Sequence, residues 1–255
     1  MKKYQHLENN FNIKALVGLL ADDTVLIQPK LDGSNCQMYM EDGQLVITSR
    51  NNILSLTFDN AGCYNTLIHE QKYKDFFNDY PNIKLAGEWL VTHKIKYKPD
   101  AYRKLYVFDA IYLDSEGEDG VADYMPYDEL SIILDKYNIE HVPHVYIYTH
   151  TLKEQLAENP NLLFTSNLEL SNYLIDSDVP MGEGIVVKDY NYKNPFGRSV
   201  WCKVINTEVF RQKVNKPKQI KSYDFESKFV DENLNEHLLS KCYYKLAIDG
   251  ELDKK

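Results

Sequence analysis

Between residues 25 and 49 the chain sets down three strand-length runs separated by two Asp-Gly turns, and this punctuation settles the local path before any other feature is weighed. Val25-Leu26-Ile27 is a short apolar run; Leu31-Asp32-Gly33 follows, then an alternating run over 34–40, Glu41-Asp42-Gly43, and a second alternating run over 44–49. Asp-Gly between alternating runs is a strong signal for a β-hairpin. Lys30 ends the first run and reads as a loop residue feeding that hairpin. Pro29 fixes the backbone just before it, and Gly33 allows a ligand to come close to the main chain. This is a setting that suits a lysine nucleophile. An amine attacks phosphorus only when deprotonated, so it needs surroundings that lower its pKa and a rigid turn that aims it.

Further along, apolar and aromatic spacing predicts a helix over 60–78, strands over 84–91 and 105–113, and an acidic loop over 114–120. A helix over 127–137, an extended run at 144–148, short helices at 152–158 and 168–175, and strands at 184–189 and 199–205 complete the pattern. Strands and helices without regular βαβ alternation predict an α+β fold with antiparallel sheets. After residue 205 the pattern turns helical, over 208–214 and 234–246, with Pro217 between. Two domains follow: 1–205, and a small helical C-terminal appendage at 206–255.

The 255 residues, 44% of them hydrophobic, can bury a full core. No apolar stretch reaches membrane-spanning length, and the polar start Met1-Lys-Lys-Tyr-Gln-His-Leu-Glu8 lacks the apolar segment of a secretion signal, so a cytoplasmic, membrane-free protein is expected. The cysteines at 36, 63, 202 and 242 are scattered and predict neither a zinc site nor a disulfide framework. Net charge is −9, which by itself disfavours a polyanionic partner. The distribution tells more. Basic residues crowd 193–221 (Lys193, Arg198, Lys203, Arg211, Lys213, Lys216, Lys218 and Lys221, against Glu208), and a second basic run over 94–104 is interleaved with tyrosines. Such stripes suit a nucleic-acid strand on an acidic body, or else a solvated face.

Six short elements then follow in order: Lys30-Leu-Asp-Gly33, Thr48-Ser-Arg-Asn51, Leu85-Ala-Gly-Glu-Trp-Leu90, Tyr106-Val-Phe-Asp-Ala110, Glu183-Gly-Ile-Val-Val-Lys188 and Trp201-Cys-Lys-Val204. The series resembles motifs I, Ia, III, IIIa, IV and V of the lysine-dependent covalent nucleotidyltransferases, the superfamily of polynucleotide ligases and capping enzymes. The likeness runs from about Lys30 to Val204. Ser34-Asn35 after the lysine motif resembles RNA ligases of the phage type, whereas DNA ligases and capping enzymes usually place an arginine there. The tail is also too short and too helical for the β-barrel that follows motif V in those two groups.

The resemblance implies a nucleotidyltransferase (ATP-grasp-like ligase) domain of antiparallel sheets flanked by helices, and an ATP-dependent RNA ligase. Lys30 would take AMP from ATP as a lysyl-AMP, the AMP would pass to an RNA 5′-phosphate, and a 3′-hydroxyl would displace it. Lys188 and Lys203 are the implied catalytic cations beside the α-phosphate. Asp32, Gly33, Asn35, Arg50, Glu88, Tyr106 and Phe108 join them as the implied nucleotide-binding set: Glu88 on the ribose, one of the two aromatics on adenine. Strand alternation places Tyr106 and Phe108 on one face. Glu183, with Glu88, would hold Mg²⁺ or Mn²⁺. Asp109 would support the metal or a neighbouring lysine, and Trp201 stands where motif V commonly has its first lysine. The competing expectations are a DNA ligase or guanylyltransferase with a reduced tail, and a non-catalytic module that binds nucleic-acid ends.

Overall fold

The structure, a computed structural model, describes residues 3–9, 19, 23–117, 121–149, 168–176 and 181–205. The chain divides into two compact units, 1–209 and 210–255, and every described residue belongs to the first. The helices expected at 152–158 and beyond 205 lie outside the described residues.

The elements in order are β1 (Glu8–Asn9), β2 (Thr24–Lys30), β3 (Ser34–Glu41), β4 (Gln44–Ser49), α1 (Cys63–Leu67), α2 (Gln71–Asp79), β5 (Ile83–Trp89), β6 (Leu105–Tyr112), α3 (Tyr127–Lys136), β7 (Val145–Tyr148), α4 (Leu168–Ser171), β8 (Gly184–Lys188) and β9 (Cys202–Ile205). They form one sheet in the order β1-β9-β8-β2-β7 and another in the order β4-β3-β5-β6. Among the pairings of these strands, β1–β9 is parallel and the others are antiparallel. The α+β fold with antiparallel sheets is therefore as expected.

Successive side chains of a strand point to opposite faces, so a strand covered on both sides reads as a continuous apolar run. β2 is such a strand. Val25 and Ile27 pack with Leu19, Ile185, Val187 and Val204 on one side, while Leu26 joins the larger core that runs through the second sheet and its helices. Each of these burials contributes about 1.5–3 kcal/mol. The second sheet starts from the predicted hairpin, whose turn residues Asp42 and Gly43 both take positive φ (50° and 74°), the geometry that matches the twist of the flanking strands.

Three local expectations are corrected. Lys30 is the last residue of β2, paired with Gly184 of β8, and not a loop residue. The helix expected over 60–78 is two helices. Leu67 and Tyr73 are six residues, or about 120° around a helix, apart, so one straight helix would aim them at different faces; the chain turns between 68 and 70 and both side chains are fully buried. The Asp59 carboxylate starts α1 by accepting from the N–H groups of Tyr64 (2.7 Å) and Asn65 (3.3 Å). Last, the basic run at 94–104 is no simple charged stripe, since Ile95, Tyr97 and Ala101 are core residues and Lys96 pairs with Asp176 at 3.0 Å.

Candidate active site

A cavity of about 350 Å³ opens between the two sheets, with walls from β2, β3, β5, β6, β8, β9 and the amino-terminal segment. Lys30, Gly33, Asn35, Arg50, Glu88, Phe108, Lys188 and Lys203 all line it. The six motifs are scattered over more than 170 residues of sequence and converge because the β2–β3 connection carries the first, the end of β4 the second, β5 and β6 the third and fourth, and β8 and β9 the last two.

At the Lys30 end, the ammonium lies 2.8 Å from Glu183 Oε1. Glu183 is not itself on the cavity wall and enters the site through this pair; its Oε2 is buried with no hydrogen-bond partner among the described residues. Asn35 and Glu88 are direct cross-strand partners, which sets them side by side. Asn35 Oδ1 has no hydrogen-bond partner among the described residues either. Glu88 Oε1 accepts from the Gly33 N–H at 3.0 Å. Burial, opposed by Lys30 and helped by the neighbouring Glu183 charge, raises the Glu88 carboxyl to about 7. Burial raises Glu183 as well, against the pull of Lys30.

Gly33 has a reason to be glycine other than the expected approach of a ligand. A Cβ there would stand 2.5 Å from the Trp89 carbonyl oxygen and 3.0 Å from Glu88 Cγ, so the turn closes on β5 itself. Asp32 is not on the cavity wall. Its Oδ2 accepts from the backbone N–H of Lys94 (2.9 Å) and Ile95 (3.0 Å), and its own N–H donates to the Tyr97 hydroxyl at 2.7 Å. The expected binding residue is thus a lock on the 93–97 segment, and His93, 3.5 Å from Asp32 Oδ1, belongs to the same lock.

At the opposite end Lys188 is 1% exposed. Its Nζ donates to Asp109 Oδ2 at 2.7 Å and to the Phe108 carbonyl at 2.9 Å, with the Trp201 ring centroid 4.8 Å away and that of Phe108 at 5.5 Å. Burial lowers the Lys188 pKa and Asp109 opposes the shift. Asp109, fully buried, also accepts from the hydroxyls of Tyr190 (2.6 Å) and Tyr4. Trp201, in the place of the common lysine, is itself buried, its Nε1 donating to the Asp189 carbonyl at 3.0 Å. Lys203 stands alone of that pair on the cavity wall; burial, Lys30 and Arg50 all lower its pKa.

Tyr106 and Phe108 part company. The pairing of β5 with β6 slips between Ala86 and Gly87, so Val107 and Asp109 have cross-strand partners and Phe108 has none, a bulge that breaks the alternation. Phe108 lines the cavity, while Tyr106 is core, its hydroxyl donating to the Ala101 carbonyl at 3.1 Å. No strand or turn signal in the sequence marks the wall formed by Tyr4, Gln5, His6 and Leu7. It is held by the parallel β1–β9 pair, which has no turn signature and only two residues per strand. Gln28, Val142 and Val186 also line the cavity; Val186 falls on a predicted strand and is directly paired with Gln28 across β2 and β8, while Val142 lies on no strand.

A profile of the RNA ligase family matches residues 23–205. The chain belongs to that family. Among solved structures, its fold matches a Naegleria gruberi RNA ligase with pyrophosphate (16% identity, TM-score 0.54, covering 84% of this chain and 59% of that one). A mutant of the same ligase with ATP and Mn matches at 17% identity and TM-score 0.53, covering 82% and 58%. An archaeal ATP-dependent RNA ligase matches at 15% identity and TM-score 0.54, covering 92% and 59%. This family member thus spans about 59% of the length of those ligases. No curated protein sequence matched.

Proposed function

We propose that this chain is an ATP-dependent RNA ligase that seals 5′-phosphate and 3′-hydroxyl RNA ends through a lysyl-AMP on Lys30. The observation that carries the reading is the placement of the Lys30 ammonium in a cavity it shares with Lys188 and Lys203, with the Glu183 carboxylate at 2.8 Å. A nucleophilic amine needs a proton acceptor within hydrogen-bond reach and cations where charge accumulates. Glu183 is within that reach of Lys30, and burial makes its carboxyl a better base.

In the first step the Lys30 nitrogen forms a bond to the α-phosphorus of ATP as the bond to pyrophosphate breaks. An oxygen of the RNA 5′-phosphate then attacks the same phosphorus and releases Lys30; last, the 3′-hydroxyl attacks the activated 5′-phosphate and AMP leaves. Phe108 supplies an aromatic face for adenine, Asn35 and Glu88 supply polar groups for the sugar and phosphate, and Lys203 and Lys188 offset charge at phosphorus. Arg50, exposed at the rim, suits a phosphate of the RNA end.

The residues present fit a divalent cation, Mg²⁺ or Mn²⁺, held by Glu183 and Glu88. Glu183 keeps one carboxylate oxygen unpartnered among the described residues, and its charge helps to raise the Glu88 carboxyl. No three acidic, histidine or cysteine side chains group as a cage among the described residues, which suits an ion that takes its remaining ligands from phosphates and water. Such an ion would draw charge from the triphosphate oxygens. Incubation with α-labelled ATP should label the protein, and addition of 5′-phosphorylated RNA should move the label to RNA and then release it as AMP. Labelling by α-labelled GTP instead, or preferential sealing of nicked DNA, would replace this reading with a capping or DNA-joining one.

A further inference from the structure

The connection from β8 to β9 ends in a turn that holds one aromatic side chain out in water. Phe196 is 81% exposed, the most exposed large hydrophobic side chain among the described residues. Its position is enforced. Asn194 Oδ1 accepts from the N–H groups of Phe196 (2.9 Å) and Arg198 (3.1 Å), the Asn194 N–H donates to the Arg198 carbonyl (2.8 Å), and the Gly197 N–H donates back to the Asn194 carbonyl (2.9 Å). Pro195 removes a further backbone freedom, and Lys193 bridges to Ser199 below the turn. The bonded turn thus holds one aromatic face out where a passing partner can cover it.

A second cavity, of about 160 Å³, lies at the base of this turn and is lined by Arg198 and Ser199 from the hairpin and by Gln5 and His6 from the amino-terminal segment. Gln5 and His6 also line the Lys30 cavity, so the two spaces share a wall. Gln5 is 8% exposed and its Nε2 donor has no acceptor among the described residues. A buried amide donor left open on a wall shared by two cavities calls for an acceptor from a ligand. Glu8, on the same wall, suits a sugar hydroxyl rather than a phosphate.

We infer that this face is a nucleic-acid track. An RNA strand whose end sits in the Lys30 cavity continues past His6 and Gln5, sets a backbone phosphate against Arg198, and stacks a flanking base on Phe196. The inference rests on the RNA-ligase reading for the identity of the strand. An aromatic face accepts any base, a guanidinium suits phosphate, and an amide donor suits phosphate or sugar oxygen. Continuity with the cavity that must receive the RNA end favours this occupant over a protein. Phe196 and Arg198 do not line the Lys30 cavity, so they act after the enzyme has been charged.

The test uses the full chain, a fluorescently labelled 5′-phosphorylated RNA strand, free and annealed across a nick, and the variants Phe196→Ala, Phe196→Trp and Arg198→Ala. Phe196→Ala should weaken RNA binding by roughly 5- to 100-fold while self-labelling by α-labelled ATP stays at the wild-type level. Phe196→Trp should bind as wild type does, and its added indole emission should be quenched by RNA; Trp89 and Trp201 are fully buried and serve as the constant background. Arg198→Ala should lower the salt dependence of binding by about one unit of slope. Wild-type RNA affinity in Phe196→Ala, or an indole at 196 that RNA leaves unquenched, would overturn the track and give Phe196 to a protein contact. A wild-type chain that takes no AMP would sink the ligase reading instead, and the RNA-binding readout would still judge the track.

Discussion

Lys188 and Lys30 face the same cavity from opposite ends, and the two ends are finished to different degrees. Lys188 is buried against Asp109, the Phe108 carbonyl and the Trp201 ring, and Asp109 is in turn supplied by Tyr4 and Tyr190. Lys30 has Glu183, and around that pair stand a Glu183 Oε2 and an Asn35 Oδ1 that have no partner among the described residues and a Glu88 carboxyl raised to about 7. A polar group left open in a buried place costs free energy unless a ligand completes it. Lys188 is therefore held fixed where it faces the cavity, and the Lys30 end is left open to receive something.

That contrast can be broken from the Lys188 end first. Asp109→Ala strands a buried ammonium and two tyrosine hydroxyls, and should destabilise the fold by about 3–5 kcal/mol in urea unfolding; a loss below about 1 kcal/mol would mean the Lys188 end is no more committed than the other. Tyr4→Phe removes one donor to the same carboxylate and should cost about 1.5–3 kcal/mol, because the acceptor is charged. It should also loosen the amino-terminal wall, which hydrogen exchange at residues 3–9 would register.

The Lys30 end should respond in the opposite sense. The folded state raises the Glu88 carboxyl from 4.5 to about 7, so it binds the proton more tightly than the unfolded chain does. The stabilisation this gives is complete below about pH 4.5 and is lost as pH rises through about 7. Glu88→Gln keeps the neutral shape at every pH. Without nucleotide it should match wild type near pH 5 and be more stable by about 1–2 kcal/mol at pH 8, short of the roughly 3 kcal/mol of the full shift because Glu88 is only half-buried. Thermal melts at the two pH values check this, and equal melts at pH 8 would refute it. The smallest effect on stability is expected for Glu183→Ala, within about 1 kcal/mol of wild type by the same melts. Self-labelling by ATP should nevertheless be lost; near-normal labelling at low Mg²⁺ would remove Glu183 from the metal role.

The same two ends explain what the sequence could convey. Strand alternation, the Asp42-Gly43 turn and the order of six short motifs were enough to indicate an antiparallel α+β domain and to bring Lys30, Asn35, Glu88, Lys188 and Lys203 to one cavity. What escaped depends on tertiary pairing. A bulge moved Phe108 out of step with Tyr106, and its one trace in the sequence is Gly87, a glycine inside a strand at which the pairing slips. Asp32 was claimed by the N–H groups of Lys94 and Ile95, some 60 residues away. The wall of Tyr4 to Leu7 rests on a parallel pair too short to show a period, and Tyr4 acquires its role only through Asp109, 105 residues further on.

The account stands on Lys30 as the residue that carries AMP. After incubation with ATP and Mg²⁺, peptide mass mapping should find the nucleotide on the peptide containing Lys30 and nowhere else, and a Lys30→Ala chain, folded as judged by its melt, should carry none. An adduct on another lysine, or labelling that survives Lys30→Ala, would contradict it.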